Sequence, residues 1–202
     1  PACQALPGNQ RQGPANNIAI SLGIPLDCKQ AISLWKQSQL KKFDVGMVTG
    51  LSRKPLHFIE SIGFGIFPIL MDKMDTKNMR TIHAEDEIKI ALKQLRKIAL
   101  TFPSKVLKLA TAAGTMEKEC IMVEVMNISS IGPRLELASG ADPGDGQFDI
   151  VVVTADQRQK LVAYIDGLLN ENDVGFNNEP IKASRLSIEW QGTELHIDDE
   201  CK

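Results

Sequence analysis

Residues 106–153 read VLKLATAAGTMEKECIMVEVMNISSIGPRLELASGADPGDGQFDIVVV, and three runs within them decide the fold class. Val106–Ala110, Ile121–Met126 and Phe148–Val153 are rich in the β-branched and aliphatic residues that strands prefer. The segments between these runs carry turn residues rather than a regular helical repeat. Strands joined by turns pair antiparallel, whereas parallel strands need long crossover connections that are usually helical.

Further strands are predicted on both sides of this stretch. Upstream, Phe43–Val48 and His57–Ile62 have strand composition. Near the end of the chain, Leu186–Trp190 alternates apolar and polar residues. The turn signal Gln191–Thr193 predicts that it forms a hairpin with Leu195–Ile197.

Helices are fewer. Ala15–Leu22 and a segment capped by Asp27 are short, whereas Glu85–Leu100 has one continuous apolar stripe at helical spacing. Thr154 and Gln157 have the spacing of a capping box that opens a further helix.

Strands outnumber helices from residue 43 onward. Met71–Ala84 is polar and lysine-bearing and predicts a mobile connection, and Ser129–Gln147 is too polar for the core. We therefore predict a mainly β, α+β fold: an antiparallel β-sandwich with a few packed helices, rather than a doubly wound α/β fold.

The composition excludes several classes of protein. With 23 basic and 25 acidic residues the formal net charge is −2, so no global positive field can hold nucleic acid. No apolar run approaches the roughly 20 residues of a membrane-spanning helix. The 4 widely spaced cysteines predict free thiols in a cytoplasmic protein, and none of the 3 histidines is a strong catalytic candidate.

Three polar clusters are candidate sites. The first, Gly13-Pro14-Ala15-Asn16-Asn17, lies at the start of the first helix, where free N–H groups and the helix dipole suit a phosphate. The alternative is that Asn16 or Asn17 only caps the helix.

The second cluster, Gly140–Asp149, contains three carboxylates separated by Pro and Gly, and its oxygens can converge on Mg²⁺ or Ca²⁺. The alternative is a solvated turn. The third, Asp198-Asp199-Glu200, can orient a hydroxyl or act as a general base, and the alternative is a charged tail.

Taken in order, several segments carry a family resemblance. Gly13–Pro25, Asp145–Val152 and Ile197–Glu200 are similar to the Gly-Thr-Ala-Asn-Asp segment, the Asp-Gly-x-Leu-Asp strand entry and the Asp-Gly-Glu motif of the diacylglycerol kinase-like lipid kinases. This family includes the bacterial diacylglycerol and phosphatidylglycerol kinases and the sphingosine kinases. Phe43–Gly46 and Ser61–Gly65 resemble two of its glycine-bearing strands.

The resemblance implies a two-domain kinase. Residues 1–40 would be the remnant of an α/β nucleotide-binding domain and residues 41–202 the β-sandwich domain. The family's Gly-Gly-Asp-Gly-Thr loop, which binds ATP, would lie upstream of residue 1, so the chain as given is expected to bind ATP poorly. The implied reaction transfers the γ-phosphoryl group of ATP to the hydroxyl of diacylglycerol or a related lipid, with Mg²⁺. Membrane contact is expected to be peripheral. The oligomeric state is left open, with an exposed sheet edge as the expected surface of a homodimer.

The resemblance also implies roles for individual residues. Glu200 matches the proton acceptor. Asp145 matches a ligand of a structural Mg²⁺, with the backbone carbonyls of Asp142 and Gln147. The nucleotide-contacting segment corresponds to Gly13, Pro14, Asn16 and Asn17.

Two departures from the family pattern affect the implied site. Pro14 stands where the family has Thr, which removes a hydroxyl and an N–H from the phosphate contact, and Asp199 replaces the Gly of Asp-Gly-Glu. The alternative function is a non-catalytic lipid-binding or regulatory module that kept the sandwich.

Overall fold

A long central strand, Gly114–Met126, organises the sheet in the computed structural model, which describes residues 15–37, 40–75, 83–172 and 174–202. In chain order this strand is β5. The other described strands are β1 Gly46–Val48, β2 Leu56–Phe58, β3 Ser61–Gly65, β4 Lys105–Thr111, β6 Ser130–Ile131, β7 Leu135–Glu136, β8 Phe148–Thr154, β9 Ile181–Ala183, β10 Leu186–Trp190, β11 Leu195–Ile197 and β12 Glu200–Cys201. The described helices are α1 Asn17–Ser21, α2 Cys28–Leu34, α3 Ile66–Asp75, α4 Ala84–Thr101 and α5 Arg158–Leu169, with a 3₁₀ turn at Trp35–Gln37.

Strand β5 is shared among three neighbours. Its first half pairs with β4, and its second half pairs with β3 and with β8. The pairing extends in the order β10-β4-β5-β3-β11-β12, with β9 joined through β8, and every described pairing is antiparallel. A register shift between Cys120 and Met122 marks a bulge where β5 passes from one set of partners to the other. The predicted antiparallel β-sandwich fold is confirmed.

The two faces of the sheet pack into separate apolar clusters. One cluster combines Met122 and Met126 of β5 with helices α3, α4 and α5. The other contains Val123 and Val125, together with side chains of β2, β3 and β4. From Met122 to Met126, odd and even residues of β5 therefore face opposite sides, as the alternation of a strand requires.

Helix α4 forms as its stripe predicts. Ile88, Leu92 and Leu95, together with other members of the stripe, are buried against the sheet. Three acidic residues occupy the first turn, where they interact favourably with the helix dipole. The Asp27 carboxylate accepts a hydrogen bond from the Gln30 N–H at 2.9 Å, so the predicted cap of α2 is also present.

The predicted C-terminal hairpin is wrong. Strand β10 pairs with β4, and β11 pairs with β3 and β12, so the two strands around Gln191–Thr193 do not pair with each other. Sequence neighbours usually pair, but β4 pairs with β10 over five residues, and the largely buried strand β3 pairs with β11 over three. The turn therefore carries the chain from the β4 side of β5 to its β3 side.

Two further expectations need correction. The segment Ser129–Gln147 is not too polar for the core, because Ile131, Leu135 and Leu137 are buried beneath the helices. The first residues of Met71–Ala84 are the last turns of α3 rather than a loose connection, because Leu70 and Phe67 anchor that helix. Residues 76–82 of that segment lie outside the described residues.

Replacing Gly63 with alanine is expected to destabilise the protein. An added Cβ would lie 2.0 Å from the Glu124 Oε2, and this buried carboxylate has no room to move away. Overpacking of a buried site costs about 1–3 kcal/mol, so urea unfolding should show a loss of that size. The matched control is Gly140→Ala, because a Cβ there meets no atom within 4 Å. Equal free energies of unfolding for the two variants would contradict the close approach.

Candidate functional site

A groove with a volume of about 730 Å³ brings together segments that are far apart in the chain. Its polar end contains residues 15–17 at the start of α1, the Gly132-Pro133 turn and the Asp198-Asp199 turn. Its apolar wall contains Leu70, Met71 and Ile88 of α3 and α4. The volume lies within the range of small-molecule sites, about 300–1,000 Å³.

The segment at the start of α1 is fixed by its second asparagine. The Asn17 side chain is 6% exposed, and its Nδ2 donates to the Gly132 carbonyl at 3.2 Å. Its Oδ1 has no hydrogen-bond partner among the residues that the structure describes. Asn16 has a left-handed backbone with φ 53° and makes no side-chain cap, so the simple capping alternative fails for this residue. Gly13 and Pro14 lie outside the described residues, and the nucleotide role of this segment stays a prediction.

The Asp198 turn is held by hydrogen bonds to its side chain. The Asp198 backbone is left-handed with φ 50°. Its Oδ1 accepts the N–H groups of Ile59, Glu60 and Ser61 at 3.1, 2.8 and 3.2 Å. The carboxylate therefore bridges the loop before β3 to the turn after β11. The carboxylate of Asp198 is a structural bridge, so the charged-tail alternative does not describe this residue.

Glu200, the predicted proton acceptor, directly follows this turn. It lies at the start of β12, is exposed and is paired with Lys202. The hydrogen bond from Lys202 lowers the pKa of Glu200, so the side chain is ionised at neutral pH. Glu200 is two residues from the bridging carboxylate, and Asp199 between them lines the groove. An ionised carboxylate is the state that a general base needs.

The groove also contains a carboxyl group that the sequence did not single out. Glu60 lines it, and burial raises the pKa of Glu60, with further contributions from the negative charges of Asp198 and Asp199. Three acidic side chains thus lie together at the polar end of the groove.

A buried ion pair lies behind the turn and was also missed. Glu124 on β5 is 0% exposed and His196 on β11 is 1% exposed. The His196 Nε2 lies 3.0 Å from the Glu124 Oε2, and Nδ1 lies 3.0 Å from the Asp198 carbonyl oxygen. The sequence contained one signal for this pair: Glu124 is the carboxylate in the otherwise apolar run Ile121–Met126.

The environments of the two groups shift both pKa values upward. Burial raises the pKa of Glu124, and the nearby His196 offsets this effect only in part. Burial opposes the charged form of His196, but the Glu124 carboxylate outweighs it and raises the pKa of the imidazole. Both shifts therefore favour a proton shared between the Glu124 carboxylate and the Nε2 of His196.

The loop of the predicted metal site is a separate, oxygen-rich turn. The Asp145 Oδ1 accepts the Gln147 N–H at 2.8 Å, and the Asp142 carbonyl accepts the Asp145 N–H at 3.2 Å. Lys182 Nζ lies 3.4 Å from both the Asp145 Oδ2 and the Asp149 Oδ2. This lysine therefore supplies the positive charge beside the two carboxylates.

The donor set of this loop fits a hard cation. One carboxylate and two backbone carbonyls, from Asp145, Asp142 and Gln147, are the oxygen ligands that Mg²⁺ prefers. Among the described residues no group of three His, Cys, Asp or Glu side chains is placed to hold a metal ion. A cation at this loop would thus depend on main-chain oxygens, as the family resemblance implies, and its binding stays a prediction.

Known proteins match both the sequence and the fold. Residues 71–199 match the family described as the YegS C-terminal NAD kinase beta sandwich-like domain. A solved diacylglycerol kinase from Bacillus anthracis str. Sterne shares 22% sequence identity and a TM-score of 0.65, over 93% of this chain and 59% of that one. Two candidate diacylglycerol kinases from the same organism are also 22% identical. One has a TM-score of 0.65 over 92% of this chain and 57% of its own. The other has a TM-score of 0.68 over 93% of this chain and 59% of its own.

The coverage and the sequence identity of these matches determine what they establish. The chain spans less than three fifths of the length of the three solved structures, and at this identity the likeness establishes the fold. A comparison with curated proteins finds no match. Within the described residues, no helix combines the length and the apolar character that crossing a bilayer requires.

The shifted pKa of His196 predicts how stability depends on pH. An unfolded histidine titrates near pH 6.5, so the pair's stabilisation is complete below that pH and is lost as the pH rises through the raised pKa. We expect the free energy of unfolding to fall as the pH rises above about 6.5, more steeply in the wild type than in Glu124→Gln, which lacks the carboxylate that raises this pKa. Urea unfolding across that range measures both slopes.

An exposed histidine provides the control for this measurement. His57 lies on β2 at the surface, so His57→Gln should keep the wild-type slope. A Glu124→Gln profile parallel to that of the wild type would show that the pair does not carry the pH dependence.

Proposed function

This chain belongs to the family of the YegS C-terminal NAD kinase beta sandwich-like domain, and from that membership we propose that it is part of an ATP-dependent lipid kinase. The proposed reaction transfers the γ-phosphoryl group of ATP to the hydroxyl of diacylglycerol or a related lipid. The observation that carries the proposal is the groove, in which the start of α1, the Asp198-Asp199 turn and an apolar wall meet.

The two ends of the groove suit the two parts of such a substrate. The apolar wall formed by Leu70, Met71 and Ile88 suits the acyl part of a lipid, since burial of apolar surface drives its binding. The polar end suits the hydroxyl, because carboxylates accept its hydrogen bond. A lipid placed in this way would direct its hydroxyl toward the turn that precedes Glu200.

Glu200 would then act as the proton acceptor. As the lipid oxygen forms its bond to the γ-phosphorus, the bond from that phosphorus to the leaving ADP oxygen breaks, and the hydroxyl proton passes to the Glu200 carboxylate. Most of the rate enhancement in phosphoryl transfer comes from positioning and from neutralising the developing charge. Mg²⁺ bound with ATP would supply part of that neutralisation.

The loop around Asp145 would have a structural role in this proposal. A cation held by the Asp145 carboxylate and by the carbonyls of Asp142 and Gln147 would stiffen the turn that leads into β8. Asp44 ties the same turn to the start of the sandwich, because its Oδ2 accepts the Gly146 N–H at 2.6 Å. The lipid would be reached by peripheral contact with a membrane surface, and a homodimer stays a possibility to test by its mass in solution.

Glu200→Gln in the complete protein is expected to abolish phosphoryl transfer without unfolding the chain. The amide keeps the shape of the side chain but accepts no proton, and loss of a general base costs about 10²–10⁴-fold in rate. Transfer of labelled phosphate from ATP to diacylglycerol in mixed micelles measures the effect. Glu189→Gln, at an exposed position on β10, is the matched control and should keep full activity. Full activity of Glu200→Gln would instead favour the non-catalytic module.

Asp145→Asn is expected to remove stabilisation by Mg²⁺. A cation that binds the folded chain at ten times its dissociation constant raises the free energy of unfolding by about 1.4 kcal/mol. Thermal unfolding with and without millimolar Mg²⁺ measures the gain. Asp142→Asn is a sharp control, because the proposed contact at that residue is its carbonyl, which the substitution keeps. Equal stabilisation of both variants by Mg²⁺ would rule out Asp145 as a ligand.

A further inference from the structure

Three adjacent strands place Glu124, Gly63 and His196 in one row across the sheet. Gly63 of β3 is in register with Glu124 of β5 on one side and with His196 of β11 on the other. The space above Gly63 is filled by the Glu124 carboxylate, because an added Cβ would lie 2.0–2.1 Å from its three terminal atoms. The absence of a side chain at Gly63 therefore lets the carboxylate reach the imidazole two strands away.

Hydrogen-bond chemistry fixes how the imidazole is oriented. The Asp198 carbonyl can only accept, so the His196 Nδ1 at 3.0 Å carries a proton and donates it. Nε2 lies 3.0 and 3.2 Å from the two carboxylate oxygens of Glu124, and the pair shares a second proton there. Both ring nitrogens are engaged, so the imidazole cannot rotate without breaking a buried hydrogen bond.

The carbonyl that His196 holds belongs to the strained residue of the turn. Asp198 is left-handed, its N–H donates to the Ser61 carbonyl at 2.9 Å, and its carboxylate accepts the N–H groups of Ile59 and Glu60. Every polar group of Asp198 is therefore fixed, two of them by the loop at 59–61 and one by His196. Asp199 and Glu200 are the next two residues of the chain after Asp198.

Core stability alone does not account for a buried pair at this position. The surrounding side chains are apolar, with Met122 and Met126 on the same face of β5 and the Phe67 ring 6.4 Å from the His196 ring. Apolar residues of similar volume are often as stabilising as a buried pair, or more so. What they cannot supply is a donor directed at the Asp198 carbonyl.

We propose that Glu124 and His196 are positioning residues that hold the Asp198 turn from inside the core and thereby set the place of Asp199, which lines the groove, and of Glu200, which follows it. The inference deepens the proposed function and rests on it for the role of Glu200. The effect on the turn itself is independent of any activity. Glu124 orients the imidazole, and the imidazole orients the Asp198 carbonyl.

The decisive variant replaces the pair by apolar residues of similar size, Glu124→Met with His196→Phe. It keeps the core filled and leaves no unpaired charge, so we expect it to fold with near wild-type stability. The Ile59 and Glu60 N–H groups report on the turn, because they donate to the Asp198 carboxylate. We expect their hydrogen exchange to accelerate at least about tenfold, while amides of α4 exchange as in the wild type.

Kinase assays of the complete protein provide the second measurement. We expect kcat of the double variant to fall at least about tenfold with little change in KM for the lipid, since small misplacements of catalytic groups are costly. In a Glu200→Gln background the same double variant should cause no further loss of kcat, because both changes act through one group. Two single variants that keep His196 provide the rescue test. The Ile59 and Glu60 amides should exchange more slowly, and kcat should be higher, in Glu124→Gln than in Glu124→Met. The reason is that the Gln amide can donate to Nε2 while Nδ1 still donates to the Asp198 carbonyl.

The outcomes separate this inference from the proposed function. Accelerated exchange together with a kcat loss that disappears in the Glu200→Gln background supports positioning. Unchanged exchange of Ile59 and Glu60 in a folded double variant overturns it, as does a kcat loss that multiplies with that of Glu200→Gln. Absence of any kinase activity in the complete wild-type protein would overturn the proposed function, and hydrogen exchange alone would then decide whether the pair holds the turn.

Discussion

From Cys120 to Met126, strand β5 is hydrogen-bonded along both edges and buried on both faces, and the rest of the structure is arranged around that constraint. Its residues from Cys120 to Met126 are all at most 1% exposed. A polar side chain in this stretch cannot reach water, so Glu124 requires a partner inside the protein. His196 is that partner, and the Glu124 carboxylate reaches it because Gly63, which lies between them, has no side chain. Three strands distant in the sequence are thus coupled by one carboxylate, and a change at any of the three positions disturbs the other two.

The candidate site depends on contacts made behind the surface that it presents. Asn17 attaches α1 to the Gly132 turn, and the Asp198 carboxylate attaches the last turn to the loop at 59–61. Both are side-chain-to-backbone hydrogen bonds, which attach each turn to a segment that is distant in the sequence. The polar end of the groove is therefore built from loops that the sheet and helices hold in place. This arrangement is common in proteins whose function resides in loops on a rigid scaffold.

Local sequence patterns predicted most of the helices and strands, whereas they could not predict which distant strands pair with each other. The periodicity of α4 and the composition of β4, β5 and β8 reflect local burial, which a window of sequence records. The hairpin between β10 and β11 was wrong because the turn signal at Gln191–Thr193 says nothing about competing edges elsewhere in the sheet. The importance of His196 was missed for the same reason: its partner is 72 residues away, and only the register of three strands brings them together. In the site, two of the three polar clusters that the sequence singled out contribute residues to the groove, whereas the Gly140–Asp149 cluster lies elsewhere and Glu60 joins the groove only through the fold.

The distribution of charge argues for which substrate the groove receives. The groove wall carries four carboxylates, Glu60, Glu87, Asp198 and Asp199. Of the described residues that line it, none is a lysine or an arginine. A triphosphate would be repelled by such a wall, whereas a neutral hydroxyl would be accepted as a hydrogen-bond donor. In the proposed kinase the groove thus suits the lipid hydroxyl, and the phosphates of ATP, neutralised in part by Mg²⁺, would contact it at the start of α1, the predicted nucleotide segment.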